Sequence, residues 1–431
     1  MNENKPNPLK LSFKTENAEV SNFLSVEKPG AQISGVEKWL LRKLIKQIGD
    51  PPLRIVMWDG SELFRTAPNP QTGIIIRDRA ALRRLLSKPS LNFCEQYCSG
   101  DVDVEGELLN FLETFHLCRP IATESGPLKL GFLERWNRRS GNTLNGSREN
   151  IHHHYDIGND FYRLWLDEEM QYTCAYFPNP AMSLEAAQAA KVDHVCRKLQ
   201  LKPDETVVEA GCGWGGTALH MAKHYGVKVK AFNISHEQVE FARDRARREG
   251  LDERVEFIED DYRTISGQFD AFVSIGMLEH VGIDHYRDLG GVINRALKPN
   301  GRGLIHSIGQ NQAEPLNPWI EKHIFPGAYP PTLREMLEVL EPWSFSVLDV
   351  ENLRLHYART IEDWLARFNH HKEEIEQMFD RQFVRAWRLY LASSIASFNT
   401  GALQLFQVLF SRPHNNDLPW SRAHMYIPEM H

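Results

Sequence analysis

No apolar run in this chain is long enough to span a bilayer, and its opening residues, Met1 to Pro8, lack the charged-then-apolar pattern of an export signal. Cysteine is sparse: Cys94, Cys98, Cys118, Cys174, Cys196 and Cys212 are too few in 431 residues for a disulfide framework. Reduced thiols in a cytoplasmic setting are therefore expected. Cys94 and Cys98 are four apart and share a helical face, but nothing at zinc-site spacing accompanies them, so core packing is expected and no metal site. A basic excess is missing too. Fifty Lys and Arg against 57 Asp and Glu leave a net charge of -7, which argues against nucleic acid as a partner while allowing a local basic surface.

At this length more than one core is expected. The patterning suggests a polar tail over 1–30, an N-terminal lipid- or membrane-associated domain over 31–135, and a linker with active-site cap helices over 136–195. A catalytic domain over 196–412 and a tail over 413–431 follow. The connector is placed at Gly126-Pro127 and the Asn-, Gly-, Ser- and Arg-rich stretch 136–149. Val36–Ile48 reads as a helix with an apolar and a basic side, either solvated or touching anionic lipid. Strand-like stretches at 53–58 and 73–76 precede helices at 79–86, 89–98 and 105–115.

From about residue 196 the pattern alternates. Strands are predicted at 206–210, 228–232, 254–258, 270–274, 303–308, 344–350 and 404–410, with helices in the first four gaps. This is an α/β, doubly wound, seven-stranded sheet with a smaller N-terminal domain and helical insertions, its ligand expected at the carboxyl ends of the strands. The segment Phe269–Ser274 is expected to offer a further sheet edge for a ligand. Over 360–400 a long helical stretch interrupts the alternation, with Phe379, Phe383, Trp387, Tyr390, Ser394 and Phe398 at helical spacing, lining either the core or a ligand.

The first strand, Val207-Val208-Glu209-Ala210, runs into Gly211-Cys212-Gly213-Trp214-Gly215-Gly216 and then a helix, a turn that brings backbone N–H groups against a ligand. A dinucleotide site would carry an acid at the end of the second strand, which here ends Ala231-Phe232-Asn233-Ile234-Ser235. Glu209 beside an incoming diphosphate would repel it. A nucleoside bearing a charged amino acid fits better than NAD or FAD, with Glu209 facing its amino group or, alternatively, capping a helix. The third strand ends Glu259-Asp260-Asp261-Tyr262, acids that serve either the ligand or loop solubility. Three more polar elements would need the fold to meet: Tyr172–Tyr176, Met277–Gly282 and Leu304–Gly309. His306 in an apolar strand needs a partner, from the site or from the backbone.

These segments resemble the cyclopropane-fatty-acyl-phospholipid synthases, including the mycolic acid cyclopropane synthases, S-adenosylmethionine-dependent enzymes of the class I methyltransferase fold. The resemblance is carried by His154–Tyr162, Tyr172–Phe177, Glu185–Lys191, Glu209–Gly216, Ser274–Gly282, Ile305–Gly309, Asn317–Ile320 and His323–Gly327, with Gly100–Gly106 further upstream. It implies transfer of a methylene unit from S-adenosylmethionine to the cis double bond of an unsaturated phospholipid acyl chain, with bicarbonate as proton acceptor. The family's bicarbonate positions fall on Cys174, Glu279, His306, the backbone N–H of Ile308, and Tyr357. Its cofactor positions fall on Tyr172, Thr173, Gly211, Gly213, Asn233, Gln238 and Asp261; Thr173 stands where serine is frequent and Asn233 where threonine is. Tyr176 or Tyr357 is expected to offer a ring face to developing positive charge. A methyl-branched or methylene product is the alternative. The expected partner is an unsaturated phospholipid membrane surface, approached peripherally from the inner face; a homodimer is left open.

Overall fold

The computed structural model describes residues 33–118 and 157–426. The tail 1–30 and the connector 126–149 lie outside the described residues. The chain divides into two compact units. Among the described residues, one combines 33–118 with 317–326 and 368–400; the other holds 157–316, 327–367 and 401–426.

In the first unit, β1 (Leu53–Val56), β2 (Glu62–Arg65), β3 (Thr72–Ile76) and β4 (Val102–Glu105) form a sheet in the order β2-β1-β3-β4. Its buried side chains, among them Ile55, Ile74, Ile76 and Val102, share a core with Leu82 and Leu85 of the helix Arg79–Ser87 and with Phe111. The helix Gly35–Gln47 starts in a capping box, Ser34 with Glu37, and buries Glu37, Leu41 and Ile45. Glu37 also meets Arg79 and Arg83, which with Ser34 hold its carboxyl down at about 2 despite burial. The division into an apolar and a basic side needs correcting here. Val36, Trp39 and Leu40 point outward with Lys38, Arg42, Lys43 and Lys46, because the inward side is filled by Leu41 and Ile45 in the core and by Glu37 against Arg79 and Arg83.

The long helical stretch is also corrected. It consists of three helices, Arg354–His370, Lys372–Met378 and Arg381–Asn399. Phe379 lies at a break, where Asp380 caps the next helix by accepting from the Phe383 N–H at 2.6 Å. Phe379, Phe383 and Trp387 stack in series with Tyr390 edge-on to Trp387, and Arg385 sits 4.2 Å over the Tyr97 ring. This row is core of the first unit.

The second unit holds the seven predicted strands: β5 (Thr206–Ala210), β6 (Lys228–Asn233), β7 (Val255–Glu259), β8 (Phe269–Ile275), β9 (Leu297–Gly309), β10 (Ser346–Asn352) and β11 (Gln404–Ser411). Their order is β10-β11-β9-β8-β5-β6-β7, with β11 antiparallel between β9 and β10. The third gap carries only one 3-10 turn, Tyr262–Thr264, too short for an α-helix. The Phe269–Ser274 segment forms no edge: β8 pairs with β5 on one side and β9 on the other. The chain leaves β5 toward β6 and β7 and returns to β8 on the opposite side. That reversal opens a crevice at the carboxyl ends of β5 and β8.

Candidate functional site

At the end of β5 the backbone turns through Gly211, Gly213 and Gly215, with φ of +85°, +52° and +84°. The turn is tied to the end of β6 by N–H bonds from Gly211 and Cys212 to the Phe232 carbonyl, 2.9 and 3.1 Å. Gly215 is closed in: a Cβ there would lie 2.6 Å from the Phe257 ring and 2.9 Å from Ala242. Gly213 is open: among the described residues nothing beyond its chain neighbours comes within 4 Å of the same added carbon. The open side of the turn is where a ligand can approach the backbone.

Around this turn the expected cofactor residues assemble unevenly. Asn233 ends β6 and spends both amide hydrogens inside the protein, on the Gly213 carbonyl at 3.2 Å and on Gln238 Oε1 at 2.8 Å. It thus ties the turn to the helix His236–Glu249, and its Oδ1 accepts from the Ser235 N–H at 3.3 Å. Asp261 is buried and gripped by Arg263, whose Nε and Nη2 donate at 2.7 and 2.9 Å. Asp260 is half-buried and accepts from the Asp261 N–H. Glu209 is buried on β5, its Oε2 without a partner among the described residues, and burial pushes its carboxyl up to about 7.

The segment before the sheet meets the crevice. Thr173 approaches the end of β8, its Cγ2 lying 3.1 Å from where a Cβ on Gly276 would stand. Tyr172 packs among Tyr162, Trp165 and Trp364, centroids 5.2–5.6 Å apart, and Tyr357 meets Trp364 edge-on at 5.9 Å. Cys174 is buried, its Sγ 3.1 Å from its neighbour Ala175's carbonyl and 3.9 Å from that of Leu353, at the start of the helix that carries Tyr357. Burial raises the Cys174 thiol far above its ordinary range, so it is a neutral thiol and no nucleophile. Tyr176 is corrected as a charge-facing ring. Both its faces are covered, by His194 at 4.3 Å and His356 at 4.9 Å.

Glu279 and His306 converge at the ends of β8 and β9. Glu279 follows β8 in the short helix Leu278–Val281 and accepts the Ile308 N–H at 2.5 Å. The Ile308 N–H therefore rests on Glu279 itself. Glu279 Oε2 and His306 Nε2 are both buried without a protein partner among the described residues. Burial raises the Glu279 carboxyl to about 7 and lowers His306 well below the ordinary imidazole range. His306 is therefore neutral near neutral pH, Glu279 is neutral below about pH 7, and each has one polar atom left over among the described residues.

The residue reading did not single out Lys191. It is fully buried in the helix Leu184–Leu199, donates to Thr173 Oγ1 at 2.9 Å and meets Gln171 Oε1. Burial lowers it to about 8, opposed by Asp167, Cys174 and Glu209. Gln188, one turn earlier, donates to the Thr173 carbonyl at 2.9 Å. A buried Gln and Lys at i and i+3 inside an apolar helix were the available signal.

This strand order, with a glycine turn at the point of reversal and no acid closing β6, defines a class I S-adenosylmethionine-dependent methyltransferase. A profile described as "Mycolic acid cyclopropane synthetase" matches residues 143–408, and the chain belongs to that family. A second, a domain of unknown function, matches residues 40–117. The "Probable fatty acid methyltransferase" of Pseudomonas putida is 33% identical over 386 residues, 87% of this chain and 96% of that protein. The cyclopropane-fatty-acyl-phospholipid synthase of Escherichia coli K12 is 42% identical over 270 residues, 62% of this chain and 69% of that one. The solved mycolic acid cyclopropane synthase CmaA1, complexed with SAH and CTAB, superposes with a TM-score of 0.59 at 28% identity, covering 61% of this chain and 98% of that one.

Proposed function

We propose that the enzyme converts the cis double bond of an unsaturated phospholipid acyl chain into a cyclopropane ring, with bicarbonate taking the proton that is lost. The observation that carries this reading is the pair of buried, unpartnered atoms, Glu279 Oε2 and His306 Nε2, beside the crevice. A neutral imidazole and a carboxyl that stays protonated below about pH 7, both with spare hydrogen-bonding capacity, suit a small oxyanion better than a bulky polar acceptor. When bound, S-adenosylmethionine supplies an electrophilic methyl on a sulfonium, and bicarbonate supplies a proton acceptor small enough for a buried site.

The residues of the chain do the rest. The open face at Gly213 admits the nucleoside, and the spare oxygen of Glu209 offers an acceptor to its amino group. Lys191 holds Thr173 at the crevice. Tyr162, Trp165, Tyr172, Tyr357 and Trp364 form an aromatic wall that keeps water from the positive charge developing on the acyl chain. A ring face there contributes about 1 kcal/mol or more when desolvated. Cys174, kept as a thiol, does not compete with the alkene for the methyl group.

The test is incubation with S-adenosylmethionine and vesicles of mono-unsaturated phospholipid, followed by release and analysis of the fatty acids. A gain of one CH2 with upfield ring protons by NMR is expected. A gain of one CH2 with vinylic protons instead would assign a methylene product. That second reading is favoured by the 33% identity to a fatty acid methyltransferase over most of the chain. A methyl-branched product also needs a reductant, so its appearance only on adding a reduced cofactor would mark it. Methylation of a polar small molecule without any need for lipid would reject both.

No helix among the described residues is long and apolar enough to cross a membrane. The proposed route to the acyl chain is the outward face of Gly35–Gln47, where Val36, Trp39 and Leu40 stand beside Lys38, Arg42, Lys43 and Lys46. Each cation gains about 1 kcal/mol near anionic lipid, and the ring can enter the headgroup layer. Neutralising Lys38, Arg42 and Lys46 is expected to weaken co-sedimentation with anionic vesicles at least tenfold and to flatten its salt dependence. Trp39→Ala should weaken it further at any salt. Unchanged partitioning would make this helix ordinary solvated surface.

A further inference from the structure

The antiparallel register of β11 on β9 sets Gln407 directly opposite His306, so both side chains stand on the same face of the sheet. Both are fully buried, and Gln407 Nε2 lies 3.0 Å from His306 Nδ1. Every residue of β11 is buried, and amid Leu405, Phe406, Val408, Leu409 and Phe410 a glutamine is costly unless its amide is used. We infer that Gln407 is a positioning residue, which donates to His306 Nδ1 and so fixes the ring proton on Nε2, turning that nitrogen into a donor aimed at the small oxyanion.

An amide NH2 only donates, so the Nδ1 it meets must present its lone pair. A neutral ring then carries its hydrogen on Nε2, the buried nitrogen that has no protein partner among the described residues. The opposite amide orientation would set Gln407 Oε1 against an Nδ1–H. It would leave a lone pair on Nε2, which repels an anion. An imidazolium, the third option, is opposed by burial and by the positive charges of Lys191 and Lys198, with Glu351 pulling the other way. The choice is thus between two neutral tautomers, and the amide makes it.

The consequence for turnover rests on the oxyanion reading above; the tautomer does not. Nitrogen-15 NMR of the full-length protein, with neither cofactor nor bicarbonate, reads the His306 tautomer, assigned by loss of its signal in His306→Asn. Wild type is expected to hold the proton on Nε2 between about pH 6 and 8. In Gln407→Glu, the same size, a carboxylate ionised at about pH 8 and facing Nδ1 should draw the ring's single proton there, giving the Nδ1–H tautomer. In Gln407→Met the two neutral tautomers should mix. For metal-bound histidines the loss of the group that fixes the ring proton costs about 10- to 100-fold, and a loss of that order in kcat is expected for both variants. Their affinity for S-adenosylmethionine by calorimetry should stay within about twofold, because the amide lies behind the ring. Thermal unfolding identifies a variant that has merely failed to fold, and then the wild-type spectrum decides alone. A wild-type proton on Nδ1, a tautomer unmoved by both substitutions, or full turnover in a folded Gln407→Glu whose ring proton has moved to Nδ1 would overturn the assignment. If the tautomer shifts as expected but wild-type turnover ignores bicarbonate removal, the bicarbonate reading fails and the tautomer assignment stands.

Discussion

Glu279→Gln is expected to lower turnover by about 10²-fold or more while leaving affinity for S-adenosylmethionine nearly unchanged. Glu279 follows β8 with one oxygen on the Ile308 N–H and the other without a partner among the described residues, where the proposed reaction would release its proton. Its carboxyl is raised to about 7 by burial, so below that pH it is a neutral acid that can donate to an anion. An ionised carboxylate facing bicarbonate would instead repel it. The bicarbonate concentration giving half-maximal activity should therefore climb as pH rises past about 7 in wild type, and this climb should vanish in Glu279→Gln. The amide keeps a donor but cannot yield or regain a proton, so added bicarbonate should help the variant less than wild type.

Stability separates this loss from damage. The folded pKa of Glu279 lies above its unfolded value, so the folded state holds a proton that the unfolded state has released. That contribution is complete below about pH 4.5 and is lost as pH rises through about 7, on the order of 3 kcal/mol at most. Glu209, raised for the same reason, has the same sign, so the informative quantity is the difference from wild type at each pH. Glu279→Gln should gain on wild type in thermal unfolding as pH rises from 5 toward about 8. A variant with wild-type turnover would remove Glu279 from the chemistry. One destabilised most at high pH would make it a structural ion.

What the residues announced and what they concealed divide along physical lines. β5 and β8 were legible because strands buried on both faces are written as short apolar runs bounded by turn residues, and β6 because exposed Lys228 and Lys230 alternate with buried Val229 and Ala231. β9 extends beyond its prediction, starting at Leu297, because the pairing of Leu297 with Phe269 lies before the apolar run. Periodicity placed the helix Gly35–Gln47, but it cannot say which stripe finds a core. Packing chose Leu41 and Ile45 and left Trp39 outside. In the site, the convergence of Glu279 with Ile308 came only through the resemblance, since no local pattern joins residues 29 apart in sequence. The same argument that flagged His306, a polar side chain in an apolar strand, applies equally to Gln407. Asn233 and Asp261 were legible as positions, but their engagement with Gly213, Gln238 and Arg263 depends on strand ends meeting in space.

The glycine turn yields a contrast of equal size. Gly215→Ala and Gly213→Ala are expected to fail in different ways, although both sites have positive φ and stand two residues apart. At Gly215 the added methyl would lie 2.6 Å from the Phe257 ring of β7 and 2.9 Å from Ala242, and neither can retreat within a close-packed core. Overpacking of this kind costs about 1–3 kcal/mol, and the left-handed backbone adds roughly 1 kcal/mol. Gly215→Ala should therefore unfold several degrees lower, whether or not ligand is present. At Gly213 nothing stands within 4 Å, so only the backbone cost of roughly 1 kcal/mol applies and the fold should survive. The methyl there would instead occupy the open face proposed to admit the nucleoside. Calorimetry on folded Gly213→Ala should thus show affinity for S-adenosylmethionine reduced by at least about 100-fold, with thermal unfolding of the free protein close to wild type. Tight binding by Gly213→Ala would move the cofactor away from this turn. A Gly215→Ala protein as stable as wild type would mean that the end of β5 has room to relax against β7, and its close packing would then not be what shapes the turn.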